Sequence, residues 1–312
     1  QREPELSDQR EPELSDQSQN CRGESPIIIS IINLKCGVGK TSIAIALADF
    51  MAGAYNKKVL LIDLDPQTNA TVNLIKDKIW LEKNDKGETI YQLFKDKLDR
   101  TKKFDVNKSI IDNVYNLNNS ISNLSLLPSS IDLIKIQNSL SKISADHFYL
   151  KSPITILKDA TSDIIDKYDF VLIDCPPDLG IITLNGIYIS DYYLIPTIPN
   201  YLSTWGIPQI IDGINEFKEE TGISVTPLGI VISMYCASSN LHDAMIDRLN
   251  KEAISGKYPR ILDTKIPLKQ NVEEAVEYDS ALNFLWQKYG YGSKNYQIYD
   301  NLAKEVLNHA KK

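Results

Sequence analysis

The stretch Lys35-Cys36-Gly37-Val38-Gly39-Lys40-Thr41-Ser42 decides the fold. It follows the β-branched run Ile27-Ile28-Ile29-Ser30-Ile31-Ile32 and precedes Ile43–Ala54, which is rich in small residues. A short continuous apolar run reads as a strand covered on both faces, and the alanine-rich stretch reads as a helix. Strand, glycine loop and helix N-terminus in that order make a phosphate-binding loop. Its backbone N–H groups point at anionic oxygens, and the helix dipole adds a favourable field. Glycines permit close backbone approach, Lys40 neutralises phosphate oxygens, and the Thr41 hydroxyl can ligate magnesium. Gly-Lys-Thr alone is a common chance match. Its setting is not, because strands ending in Asp63 and Asp174 follow it.

Working outward, Lys58–Asp63 and Phe170–Asp174 are strands of the same buried type, Tyr192–Ile198 and Pro227–Met234 supply two more, and Leu124–Leu127 is a short one. Helical stretches lie between them at Ile181–Ser190, Pro208–Glu220 and Leu241–Ser255. The alternation predicts an α/β fold of the P-loop NTPase class, a mostly parallel twisted sheet with helices on both faces. Such sheets bind ligands at the carboxyl ends of their strands, where the loop, Asp63 and Asp174 all fall. Lys76–Ser122, rich in Lys, Asp and Asn, reads as a helical insertion on the same domain.

The 312 residues are 43% hydrophobic and 24% charged, ordinary for a globular protein. No apolar run approaches the roughly 20 residues of a membrane helix. Four scattered cysteines, Cys21, Cys36, Cys175 and Cys236, form no metal or disulfide spacing and fit a reducing, cytoplasmic setting. The net charge of −7 is uneven: residues 1–25 hold three arginines and seven acids, a net −4. That segment repeats Arg-Glu-Pro-Glu-Leu-Ser-Asp-Gln at 2–9 and 10–17. Too polar to offset its ordering entropy, it is expected to be a disordered extension, with one domain over 26–312. From Met245 onward eleven Lys/Arg meet nine Asp/Glu, so any DNA contact must come from a local patch or from two patches joined by dimerisation.

Lys35–Ser42 resembles the deviant Walker A motif of the ParA/MinD ATPases, usually Lys-Gly-Gly-Val-Gly-Lys-Thr-Thr. Val59-Leu60-Leu61-Ile62-Asp63-Leu64-Asp65-Pro66-Gln67-Thr68-Asn69-Ala70-Thr71 is similar to that family's switch I. Tyr168-Asp169-Phe170-Val171-Leu172-Ile173-Asp174-Cys175-Pro176-Pro177 is similar to its Walker B and switch II. Leu127–Leu133, Gly229–Tyr235 and Thr264–Pro267 also match, so the resemblance runs from about Ile27 to Val306. It implies ATP and Mg²⁺ as cofactors and two subunits closing face to face, with Lys35 crossing to the partner's phosphates. It further implies that Thr41 binds Mg²⁺, that Asp63 and Asp174 hold the metal shell directly or through waters, and that Asp65 orients the attacking water. The residues alone allow plainer roles, an Asp-Pro turn at Asp65 and a strand-end cap at Asp63. Met234 and Pro267 match positions lining the adenine site, although a core role suits both. Cys36 replaces the first glycine of the usual pair, which is tolerable where φ is negative. Ser42 keeps the hydroxyl of the usual threonine.

Among relatives, the chain looks closest to short, Soj-like partition and cargo-positioning ATPases. Tyr296–Lys312, with Ile298, Leu302 and Val306 at helical spacing, reads as a docked helix and not a basic membrane anchor. Tyr289, Tyr291, Tyr296 and Tyr299 read as core and loop residues and not as a tyrosine-autokinase cluster. The resemblance implies nonspecific DNA binding, with Lys265, Lys269 and Lys294 as candidates and Arg248 and Arg260 behind them. It also implies nucleoid association and a ParB-like or adaptor partner that stimulates hydrolysis. The alternative is a nucleotide-controlled interaction switch with little turnover and no DNA.

Overall fold

A computed structural model describes residues 25–114, 123–146, 153–268, 285–290 and 294–311. Seven strands form one sheet: β1 (Ile27–Ile31), β2 (Val59–Asp63), β3 (Leu124–Leu127), β4 (Phe170–Asp174), β5 (Tyr192–Thr197), β6 (Thr226–Tyr235) and β7 (Ile261–Pro267). Their order is β3-β2-β4-β1-β5-β6-β7, and every pairing is parallel. β2 and β4 are buried at every residue, as their uninterrupted Val-Leu-Leu-Ile and Phe-Val-Leu-Ile runs require of strands covered on both faces.

The register fixes the site. Asp63 pairs with Asp174 across β2 and β4, and Ile31 pairs with Asp174 across β1 and β4. Two acidic strand ends and the start of the glycine loop therefore lie side by side at the carboxyl edge.

The helix Lys40–Gly53 is central to the packing, with eleven buried residues among its fourteen. Its alanines let it lie close to the sheet, and Phe50 anchors it to the C-terminal helix Lys294–His309. The Phe50 ring centroid lies 5.0 Å from those of Tyr289 and Tyr296. Tyr289 and Tyr299 are both buried, and Leu302, Ala303 and Val306 complete the docked face. The tyrosines and the last helix are thus core elements, as expected, apart from Tyr291, which lies outside the described residues. Beneath Phe50 the Asp49 carboxylate, fully buried, accepts from Lys288 Nζ at 2.7 Å and from Tyr289 Oη at 2.6 Å.

One feature departs from the expected layout. β7 is an additional strand, and its alternating exposure explains why it lacks the continuous apolar run of the others. The insertion is helical where it is described, as expected, with the helices Asp77–Asp85, Ile90–Asp99 and Val106–Ser109. Among the described residues, no helix is long and apolar enough to cross a membrane.

Candidate functional site

Between β1 and its helix the chain needs the left-handed region twice, at Gly37 (φ 72°) and Gly39 (φ 85°). Cys36 does not need it, which is how an exposed side chain is accommodated at the position of the missing glycine. Two buried side chains fasten the loop to the sheet. Asn33 donates to the Pro196 carbonyl at 2.7 Å and accepts from the Lys35 amide at 2.9 Å. Ser233, on β6, donates to the Val38 carbonyl at 2.7 Å.

The loop borders a cleft of about 620 Å³ whose lining includes Cys36, Gly37, Gly39, Lys40, Thr41, Ser42, Asp65, Asp178 and Met234. Lys40 is buried and donates to the Lys35 carbonyl at 3.1 Å. The Lys35 side chain is not among the groups lining this cleft. Met234 lines it in a left-handed conformation (φ 51°), uncommon for an unbranched apolar residue and of the kind that concentrates at ligand sites. Pro267 sits one strand over, in register with Tyr235, and is not part of the lining.

Thr41 Oγ1 donates to Asp174 Oδ2 at 2.7 Å. The other oxygen, Asp174 Oδ1, is fully buried with no hydrogen-bond partner. An orphaned carboxylate oxygen beside a loop hydroxyl is a hard, all-oxygen donor set of the kind Mg²⁺ prefers, so these residues fit the metal. Burial holds the Asp174 carboxyl well above the usual carboxylate range, and the facing charge of Asp63 adds to the effect.

Asp63 makes the strand-end capping contacts that its position allows. Its Oδ2 accepts from the Thr71 amide at 2.9 Å and hydroxyl at 2.6 Å, and its Oδ1 accepts from the Asp65 amide at 3.1 Å. With both oxygens engaged, Asp63 shapes the segment after β2. Burial still pushes its carboxyl up to about 7, against these lowering hydrogen bonds.

Asp65 forms the expected turn and also lines the cleft. Its Oδ1 accepts from the Gln67 amide at 2.8 Å, a turn-forming bond, while its carboxylate borders the cleft. Burial raises its carboxyl, and Lys40 opposes that rise. Thr68, at φ 58°, then turns the chain into the helix Asn69–Leu74.

Several contributors were not legible from the motif alone. Asp178 borders the cleft, accepts from the Gly180 amide at 2.7 Å and receives Gln137 Nε2 at 3.3 Å. Ser129 Oγ donates to the Asp65 carbonyl, and its own amide donates to Thr71. Thr71 and Ser129 lie inside quoted motif stretches, but a hydroxyl's partner emerges only once β2 and β3 are paired. Of the basic candidates, Lys265 is exposed on β7 with Nζ 5.1 Å above the Tyr235 ring. Lys294 is exposed at the start of the last helix, and Lys269 lies outside the described residues.

Residues 27–226 match the family model described as an AAA domain. The chain belongs to the ParA/MinD family of ATPases. It is 28% identical over 279 residues to the sporulation initiation inhibitor protein Soj of Bacillus subtilis, spanning 89% of this chain and 97% of that one. It is also 28% identical to the chromosome-partitioning ATPase Soj of Treponema pallidum, spanning 88% and 95%. In structure this ParA/MinD member is similar to Cyanothece McdA in its ATP complex, with TM-score 0.70 and 20% identity over 93% of this chain and 99% of that one. A putative plasmid partition protein of Borrelia burgdorferi bound to AMPPNP gives TM-score 0.66 and 24% identity over 91% and 99%. These two likenesses support the fold of the ParA/MinD chain.

Proposed function

We propose that this chain is an ATP-dependent, dimerising ATPase of the ParA type that binds nonspecific DNA and positions a plasmid, a chromosome region or a protein cargo. One observation carries the nucleotide chemistry: Lys40, Thr41 and Asp65 line a single cleft at the glycine loop, and Thr41 holds the buried Asp174 carboxylate directly behind it. Residues 26–312 would act together as one ATPase domain, in the cytoplasm and on the nucleoid.

Thr41 and Asp174 would hold Mg²⁺, which neutralises charge on the phosphates when bound. The loop amides and Lys40 would orient the phosphates and stabilise the charge that develops as the terminal bond breaks. Asp65, tethered through one oxygen to the Gln67 amide, would use the other to orient a water and accept its proton. Met234 would pack on the base at the open end. Lys35 is anchored at its carbonyl by Lys40, while its side chain lies outside its own cleft. That arrangement supports a role across a dimer, where a lysine from each subunit reaches the other's phosphates. The names of the relatives, which speak of chromosome and plasmid partition, support the cargo class. A ParB-like or adaptor protein would be the stimulating partner, and Lys265, Lys269 and Lys294 the DNA-facing cations.

The deciding experiment measures dimerisation by light scattering with Mg²⁺ and ATP, and hydrolysis with and without nonspecific duplex. Lys35→Ala is expected to lose the ATP dimer, and Asp65→Ala to accumulate it without turnover. If both variants dimerise and hydrolyse like the parent, the assignment of the loop is wrong. If the parent retains no duplex at low salt in ATP, the DNA-cycling function fails while the nucleotide site stands.

A further inference from the structure

A second cavity, about 860 Å³, opens away from the nucleotide cleft, among the helices Ile90–Asp99, Val106–Ser109 and Ile156–Thr161. Its floor is apolar, with Leu93, Phe104 and Ile156, and its rim carries the exposed Arg100, Lys102 and Lys103, with Lys108 paired to Asp105 at 3.7 Å and one exposed acid, Asp159, on the far helix. From Lys95 to Lys108 six basic residues face three acids, in a chain whose overall charge is −7.

The rim is built and held. The buried Asp96 carboxylate accepts from Gln92, from Thr101 and from the Lys103 and Phe104 amides, which together keep its carboxyl below the usual range. Arg100 ends its helix in the left-handed conformation (φ 54°). Asp96 thus spends its charge inside the loop, and Asp105 caps the next helix through the Asn107 and Lys108 amides. Basic residues near a helix C-terminus complement its dipole, but Lys102 and Lys103 lie beyond the helix and above an apolar floor, which that effect does not explain.

The same chain supplies a ligand of matching chemistry. Each octapeptide, Arg2–Gln9 and Arg10–Gln17, carries three acids, one arginine and one leucine. We propose that this acidic repeat docks in cis on the basic cleft, its carboxylates on Arg100, Lys102 and Lys103 and a leucine on the apolar floor. Reach permits it. Twenty-four extended residues span up to about 80 Å. The proline in each octapeptide reduces the ordering cost. Docking would shield the rim from other polyanions.

The test uses the full chain at dilute concentration. Zero-length carbodiimide cross-linking with mass spectrometry should join Glu3, Glu5, Glu11 or Glu13 to Lys102, Lys103 or Lys108 within one polypeptide, and high salt should abolish the links. Hydrogen exchange then compares the parent with E3Q/E5Q/E11Q/E13Q and with R100E/K102E/K103E, after circular dichroism verifies their fold. Exchange of the amides between Arg100 and Val106 should quicken in both variants, on the order of tenfold for several surface ion pairs lost. Links spread evenly over surface lysines, links only between two chains, or unchanged exchange in both variants would each overturn the proposal.

Discussion

The Thr41 hydroxyl and the Asp174 carboxylate are in contact at 2.7 Å, and that contact leaves Asp174 Oδ1 buried and unpaired. A buried acceptor without a partner typically costs about 1–3 kcal/mol, a cost that a bound cation would relieve. Asp174 also faces the Asp63 carboxyl, so Asp174→Asn, which removes one of two facing buried acids, should raise the melting temperature of the nucleotide-free protein, by an amount corresponding to about 1 kcal/mol, while weakening Mg²⁺-dependent nucleotide binding at least tenfold. Calorimetric scans and titration with a fluorescent ATP analogue measure both quantities. Movement of the two in the same direction contradicts this account of the site.

The pairing of Asp63 with Asp174 sets a pH dependence. Burial pushes the Asp63 carboxyl up to about 7, and Asp174 is raised as well. A carboxyl raised on folding contributes stability while protonated, and that contribution is lost as pH rises through the folded-state value. The nucleotide-free chain should thus lose stability as pH climbs from the ordinary carboxylate range toward about 7. Mg²⁺ with nucleotide should flatten the slope, because a cation favours the ionised pair. Thermal denaturation across that range decides it, and equal slopes with and without ligand would refute the link.

Asp49 and Lys288 predict non-additivity. Lys288→Met alone strands a buried charge and should cost about 3–5 kcal/mol. The double variant Asp49→Leu, Lys288→Met should recover much of that loss, since apolar packing can replace a buried ion pair. Urea unfolding of the single and double variants gives the coupling, and a simple sum of the two single effects would exclude it.

Loop positions 36 and 37 should respond oppositely to substitution. Gly37→Ala meets no steric obstacle but must adopt φ 72°, at about 1–2 kcal/mol. Cys36→Gly removes a side chain from a position that has no left-handed requirement, and should change stability by less than about 1 kcal/mol. Chemical denaturation separates the two, and comparable losses at both positions would mean the loop geometry is misassigned.

Much of this was legible before folding because the informative residues are contiguous. The buried strands announce themselves as unbroken apolar runs, and the phosphate loop is defined by neighbours along the chain. β7 escaped because its exposure alternates, and a half-covered strand resembles many loops. Asp63 shows the other limit. Its position at a strand end was clear, but whether its oxygens face a ligand or Thr71 depends on a contact eight residues away. Asn33, Ser233 and Asp178 likewise act through partners that only the sheet order brings near.

Asn33 and Ser233 tie the glycine loop to β5 and β6, on the side of the sheet away from Asp65 and Asp178. A loop stitched in this way is the stationary jaw of a vice. In the proposed cycle, whatever distinguishes a triphosphate from a diphosphate would be registered by the opposite jaw, the turns at Asp65–Asn69 and Pro176–Gly180, which lack such fastenings to β5 and β6. The molecule's timing element would therefore be those two turns, and substitutions that slow or speed its cycle without altering affinity should map there and not to the loop that grips the phosphates.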